Sequence, residues 1–133
     1  MPPAAPGLRL MGSLRDRLRA RALPTAVVTL QPSREGDAPE EITLRGLVPD
    51  VYEALGEAHP PTEEQRERGA TWDYHTFRHA LLAACVVTPE GEEPLTEADW
   101  VELATTGAMA AGELLQLFNA AVYVNDRSPR ARV

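Results

Sequence analysis

The sequence predicts an α+β fold that is mostly α: a small antiparallel β-hairpin near the N-terminus followed by a compact bundle of about four helices. Two short β-branched stretches, TAVVTLQ at 25–31 and EITLRG at 41–46, predict the hairpin. Two longer stretches, 73–87 and 108–126, place apolar residues at spacings of three and four and predict the main helices. A chain of 133 residues suits one domain, burying roughly two-thirds of the surface its unfolded form exposes.

Residues 1–11 predict a disordered arm, because prolines and small residues at its start offer nothing to bury. The folded domain is expected over 12–126, with a disordered tail at 127–133. Ser13 is placed to cap a short helix carrying Leu14, Leu18 and Ala22 on one face. In the second strand Ile42 and Leu44 are expected inward, Thr43 and Arg45 outward. The connection PSREGDAPE is long for a hairpin, and Gly36 and Asp37 supply its turn.

Pro49 fits the first turn of a short helix with Val51, Tyr52 and Leu55 on its apolar side, stopped by Gly56 and Pro60. Thr62 and Gln65 have capping-box spacing and predict a solvated helical turn. In the central helix, 73–87, the residues Phe77, Leu81, Ala84 and Cys85 share one face, widened by Leu82 and Val86. Thr96 caps the next helix, with Glu97 and Asp99 near its positive end and Trp100, Val101 and Leu103 as its core anchor. The last helix presents Leu114, Leu117, Phe118, Ala121 and Val122 as one broad face.

Charge is segregated. The net of -7 combines Arg clusters at 9–21 and 127–132 with a body, 22–126, that holds 19 acidic and five basic residues, a net of -14. A nucleic-acid surface needs a basic stripe across a folded face, and only the terminal arms supply one, so no nucleic-acid partner is expected from the body. No apolar run nears the roughly 18 residues of a membrane span, no secretory signal is legible, and the one cysteine excludes an internal disulfide framework. A cytoplasmic setting follows as the expectation.

The candidate chemistry is thin. His75 and His79 stand one helical turn apart, the arrangement of helical zinc ligands. Yet HTFRH lacks the Glu that follows the first His in the hydrolytic motif, and a third ligand would have to come from Asp73 or from Cys85 on the apolar face. Both histidines therefore read as surface or boundary residues, and Cys85 as a small buried hydrophobe with a raised pKa. The carboxylate pairs at 40–41, 63–64 and 92–93 fall in loops and first turns, where they solvate the chain. No phosphate-binding glycine loop and no nucleophile elbow occurs. Neither catalysis, a cofactor nor a metal is expected. The broad apolar faces either pack wholly on one another or leave a groove for an apolar partner helix.

The order of segments resembles the tail assembly chaperones of long-tailed phages and prophages of GC-rich actinobacteria. The resemblance runs over roughly 12–129, and WDYHTFRHALLAAC, PLTEADWVELA and LFNAAVYVND carry it. It implies a non-enzymatic, mainly helical protein that coats the aggregation-prone tape measure protein, keeps it soluble and helps recruit tail tube protein, in the host cytoplasm and not in the mature virion. Self-association is compatible with that role. An acidic body suits it, repelling copies of itself and attracting basic client segments over about a Debye length. Phe77, Leu81, Leu114 and Phe118 are the expected partner-binding residues, lining a groove or the core directly under it. Two rival readings stay open: an antitoxin-like regulatory or adaptor protein whose basic N-terminal arm touches DNA, and a metal-dependent enzyme using His75 and His79.

Overall fold

The computed structural model describes residues 12–126, so the expected arm and tail lie outside it. Along the chain come α1 (Leu14–Arg19), β1 (Thr25–Leu30), β2 (Glu40–Arg45), α2 (Pro49–Glu57), α3 (Glu63–Glu67), α4 (Tyr74–Cys85), α5 (Glu97–Thr105) and α6 (Ala111–Asp126). The fold is mostly α with a small β part, as the patterning predicts. Among the described residues four helices reach nine residues or more, while α1 and α3 are single short turns of six and five. No described helix is long and apolar enough to cross a membrane.

Local chemistry sets most boundaries. Ser13, Thr62 and Thr96 each accept a hydrogen bond from the backbone three residues on, and Asp16, Gln65 and Asp99 return one, giving three capping boxes. Asp73 caps α4 by accepting from the His75 N–H, so the helix starts at Tyr74 and ends at Cys85, two residues short of the expected end. Gly56 does not stop α2, which runs on to Glu57. Its missing Cβ matters differently: one built there would stand 2.9 Å from Trp72 Nε1, so glycine lets the indole lie against α2.

The hairpin is antiparallel, with Thr25 opposite Arg45 and Leu30 opposite Glu40. Val28 and Leu44 are buried on one side, and α6 packs against both strands there. The helix α4 lies at the centre, touching α2, α5 and α6. One buried cluster joins Val28 and Leu44 of the hairpin to Phe77, Leu81, Leu82 and Cys85 of α4, Trp100 of α5, and Leu114, Leu117, Phe118 and Ala121 of α6.

Five of the seven aromatic residues meet at one end of this core. Trp72 stacks on Phe77 with ring centres 4.5 Å apart, Phe118 stands edge-on to both, and Tyr52 and Tyr74 close the group. Trp72 and Phe77 thus mark the entry of α4 into the core. Three expectations about facing need correction. Ala84 is exposed because it sits at the end of α4 where no element covers it, and Val101 and Val51 are exposed because α5 buries only Trp100 and α2 buries no residue, Tyr52 and Leu55 being half-buried.

Candidate partner-binding cleft

Phe77, Leu81, Leu114 and Phe118 come together, but inside. Phe77 and Leu81 expose nothing and Leu114 and Phe118 about one-twentieth of their surface, so the four are core rather than groove lining. The geometric reason is the central position of α4, whose Phe77–Leu81 side is roofed by α6. A partner reaches none of them without opening the fold.

Uncovered apolar surface gathers elsewhere. An open cleft of about 860 Å³ lies between the end of α4 and the segment joining β2 to α2. Ala83, Ala84, Val86 and Val87 line one side, and Leu47, Val48 and Val51 the other, with Leu23 at one end. A neighbouring hollow is lined by Leu18, Leu23, Leu47 and Val124, so the apolar surface continues toward α1. Leu14, Leu18, Val48 and Val51 are each more than half exposed. In α1 no residue is buried, and Ala22, expected on the same helical face as Leu14 and Leu18, lies beyond the end of the helix at Arg19.

Local sequence explains why this surface exists. Val86 bridges to Leu44 and the Val87 N–H donates to Thr43 C=O at 2.8 Å, which ends α4 and leads the chain along the outer edge of β2. At the other wall the Leu47 N–H donates to Asn125 Oδ1 at 2.7 Å. The same amide donates to Ala121 C=O at 2.8 Å and to Cys85 Sγ at 3.3 Å. Asn125 thereby ties α6, α4 and the β2–α2 connection beneath the cleft. Sequence reasoning passed over it; the available signal was a lone amide one turn beyond Ala121, at the end of an apolar helical face.

The cleft carries little chemistry. Its polar side chains are Thr25, Arg45 and Thr88, and Arg21 lies in the adjoining hollow. Cys85 forms part of the lining, but burial raises its thiol pKa, with the Asn125 hydrogen bond pulling the other way. The protonated thiol is a weak nucleophile.

The histidine pair separates by environment. His75 is exposed, whereas His79 is buried against the flank of α4 that faces α5, a correction to its boundary placement. Arg78 Nε donates to His79 Nε2 at 3.3 Å, which requires an unprotonated Nε2. Burial first, then the Arg78 charge, lowers the His79 pKa; Glu97 and a backbone hydrogen bond to His75 oppose that, and His75 adds a smaller lowering. Asp73, the nearest third ligand, is engaged by the His75 N–H and by Gln65 Nε2 at 3.1 Å. Among the described residues no group of three His, Cys, Asp or Glu side chains is placed to hold a metal ion.

No protein-family model, no curated protein and no solved structure matches the chain.

Proposed function

We propose that this chain is a non-enzymatic phage tail assembly chaperone that binds the tape measure protein in the host cytoplasm, keeps it soluble and assists polymerisation of tail tube protein around it. The observation that carries the reading is an apolar cleft, open to solvent and poor in reactive groups, on an otherwise acidic body. Such a surface suits an apolar helical stripe better than a substrate, since orienting a small molecule needs convergent polar groups. The segment resemblance adds the identity of the client. The charged residues that line the cleft and the adjoining hollow are Arg45 and Arg21, so carboxylates beside the client stripe would meet them there, while basic client segments would meet the acidic remainder of the body. The acidic remainder of the body keeps the complex soluble.

Co-expression with the tape measure protein tests the reading. Co-purification is expected, and Val51→Asp, at an exposed position, is expected to abolish it while leaving the fold intact. Retention of the client by folded Val51→Asp, or no capture by the wild-type chain, would overturn the proposal. The genomic setting offers a second check: the gene is expected between a tube gene and a very long tape measure gene.

A further inference from the structure

The hydrogen-bonding phase of the hairpin leaves one edge with its backbone groups facing out. The Gly46 N–H donates to Pro24 C=O at 2.9 Å, so the pair 24/46 is of the hydrogen-bonded kind. Alternation then makes Ala26/Leu44, Val28/Ile42 and Leu30/Glu40 the bonded pairs, and turns the N–H and C=O of Thr25, Val27 and Thr29 away from β2. The outer edge of β2 is capped by the bridge at Val86 and the Val87 bond to Thr43. No bridge or backbone hydrogen bond from the described residues reaches the outer edge of β1.

Natural sheets blunt such an edge with charges, internal prolines or bulges. This strand, TAVVTL, has none of them: it carries no charge, its prolines lie outside at 24 and 32, and its pairing with β2 is unbroken from Thr25 to Leu30. Val27 is 60 % exposed at its centre, with exposed Thr25 and Thr29 on either side. Antiparallel pairing of this row with its own copy about a two-fold axis through Val27 sets Thr opposite Thr on both sides of a Val–Val centre.

We propose that β1 pairs antiparallel with β1 of a second copy, centred on Val27, to form a continuous four-stranded sheet β2–β1–β1–β2. Val27 then faces its own counterpart as a bonded pair, and Thr25 faces Thr29 of the other copy, giving β-branched and Thr–Thr neighbours across the join. Charge favours this direction. The Thr25 end of the hairpin carries Arg45 opposite it and Arg21 just before it, whereas the Leu30 end carries Glu40 and Glu41 opposite, with Glu35 and Asp37 outnumbering Arg34 in the adjoining loop, so that end stays net negative. Antiparallel pairing sets the positive end of each copy beside the negative end of the other; parallel pairing would set like beside like. The association stands whether or not the chain carries a client. With one, it would place two clefts on one assembly, because Thr25 and Arg45 belong both to the hairpin and to the cleft lining.

Sedimentation equilibrium of the full chain tests it. A mass rising with concentration from 14.5 kDa to twice that value is expected. Val27→Pro removes an N–H that serves only the outer edge, and Val27→Lys places a charge at the symmetry centre; both are expected to remain monomeric with unchanged far-ultraviolet circular dichroism. Thiol cross-linking supplies the register independently of those variants. Val27→Cys, with its counterpart about 5.5 Å away between α-carbons, is expected to join to itself through a short bis-thiol linker. Thr25→Cys alone, about 14 Å from its own counterpart, is not, while a mixture of Thr25→Cys and Thr29→Cys is. A wild-type chain that stays monomeric, a dimer that survives Val27→Lys, or equal linking at Thr25 and Val27 would each overturn the proposal.

Discussion

Asn125 Oδ1 accepts the Leu47 N–H at 2.7 Å, joining the last turn of α6 to the residue that follows the hairpin. The contact spans 78 positions of sequence and is half-buried, so water replaces it poorly. Asn125→Ala strands the Leu47 donor and removes the bonds to Ala121 and Cys85 together. The expected loss is roughly 1–3 kcal/mol, read as a fall in urea midpoint without a change in m-value. Asn125→Asp keeps an acceptor for Leu47 and is expected to lose less; equal losses would mean that the amide group, not the Leu47 contact, carries the effect.

One residue before Leu47 the two segments meet backbone to backbone. A Cβ at Gly46 would stand 2.6 Å from the Val124 carbonyl oxygen, a contact that no rotamer change relieves. Gly46→Ala is therefore expected to push α6 from the hairpin and cost about 1–3 kcal/mol, the range for overpacking a tight site. A thermal midpoint within a degree of wild type would show that the α6 end moves freely.

These two sites mark the boundary of what the sequence discloses. Capping boxes at Ser13, Thr62 and Thr96 were legible because donor and acceptor lie three residues apart and no distant element competes. The inward phase of Leu44 and the broad face of α6 were legible for the same reason, since period alone determines them. What period does not determine is which apolar face remains uncovered. Ala84 lies on the predicted arc of α4 with Phe77 and Leu81, yet faces the cleft because the roof over that arc ends before it. His79 lies off the arc and is buried because α5 packs on the opposite flank. Both outcomes depend on elements far away in sequence, as does the role of Asn125.

Core and cleft should consequently respond differently to the same insult. Leu114→Asp places a carboxylate among Phe77, Leu81 and Leu117 and is expected to unfold the domain, because an unpaired charge there costs several kcal/mol. Val48→Asp adds the same group at an exposed position and is expected to shift stability by no more than about 0.5 kcal/mol. Circular dichroism at 222 nm separates the two directly. A folded Leu114→Asp would contradict the assignment of Leu114 to the interior.

Acidification isolates the buried histidine. His79 titrates below the ordinary value of about 6.5, held down chiefly by burial and then by Arg78. The unfolded chain therefore takes up this proton before the folded chain does. The stability that comes from keeping His79 neutral is complete above the unfolded value and is lost as pH falls through the folded one. Urea midpoints are expected to drop between pH 7.5 and 5, and His79→Gln, which cannot take up the proton, is expected to flatten part of that drop. His75→Gln serves as the control, since His75 is exposed and four residues away on the same helix. If His79→Gln falls as steeply as wild type while His75→Gln does not, the acid sensitivity belongs to the exposed ring and the burial argument for His79 fails.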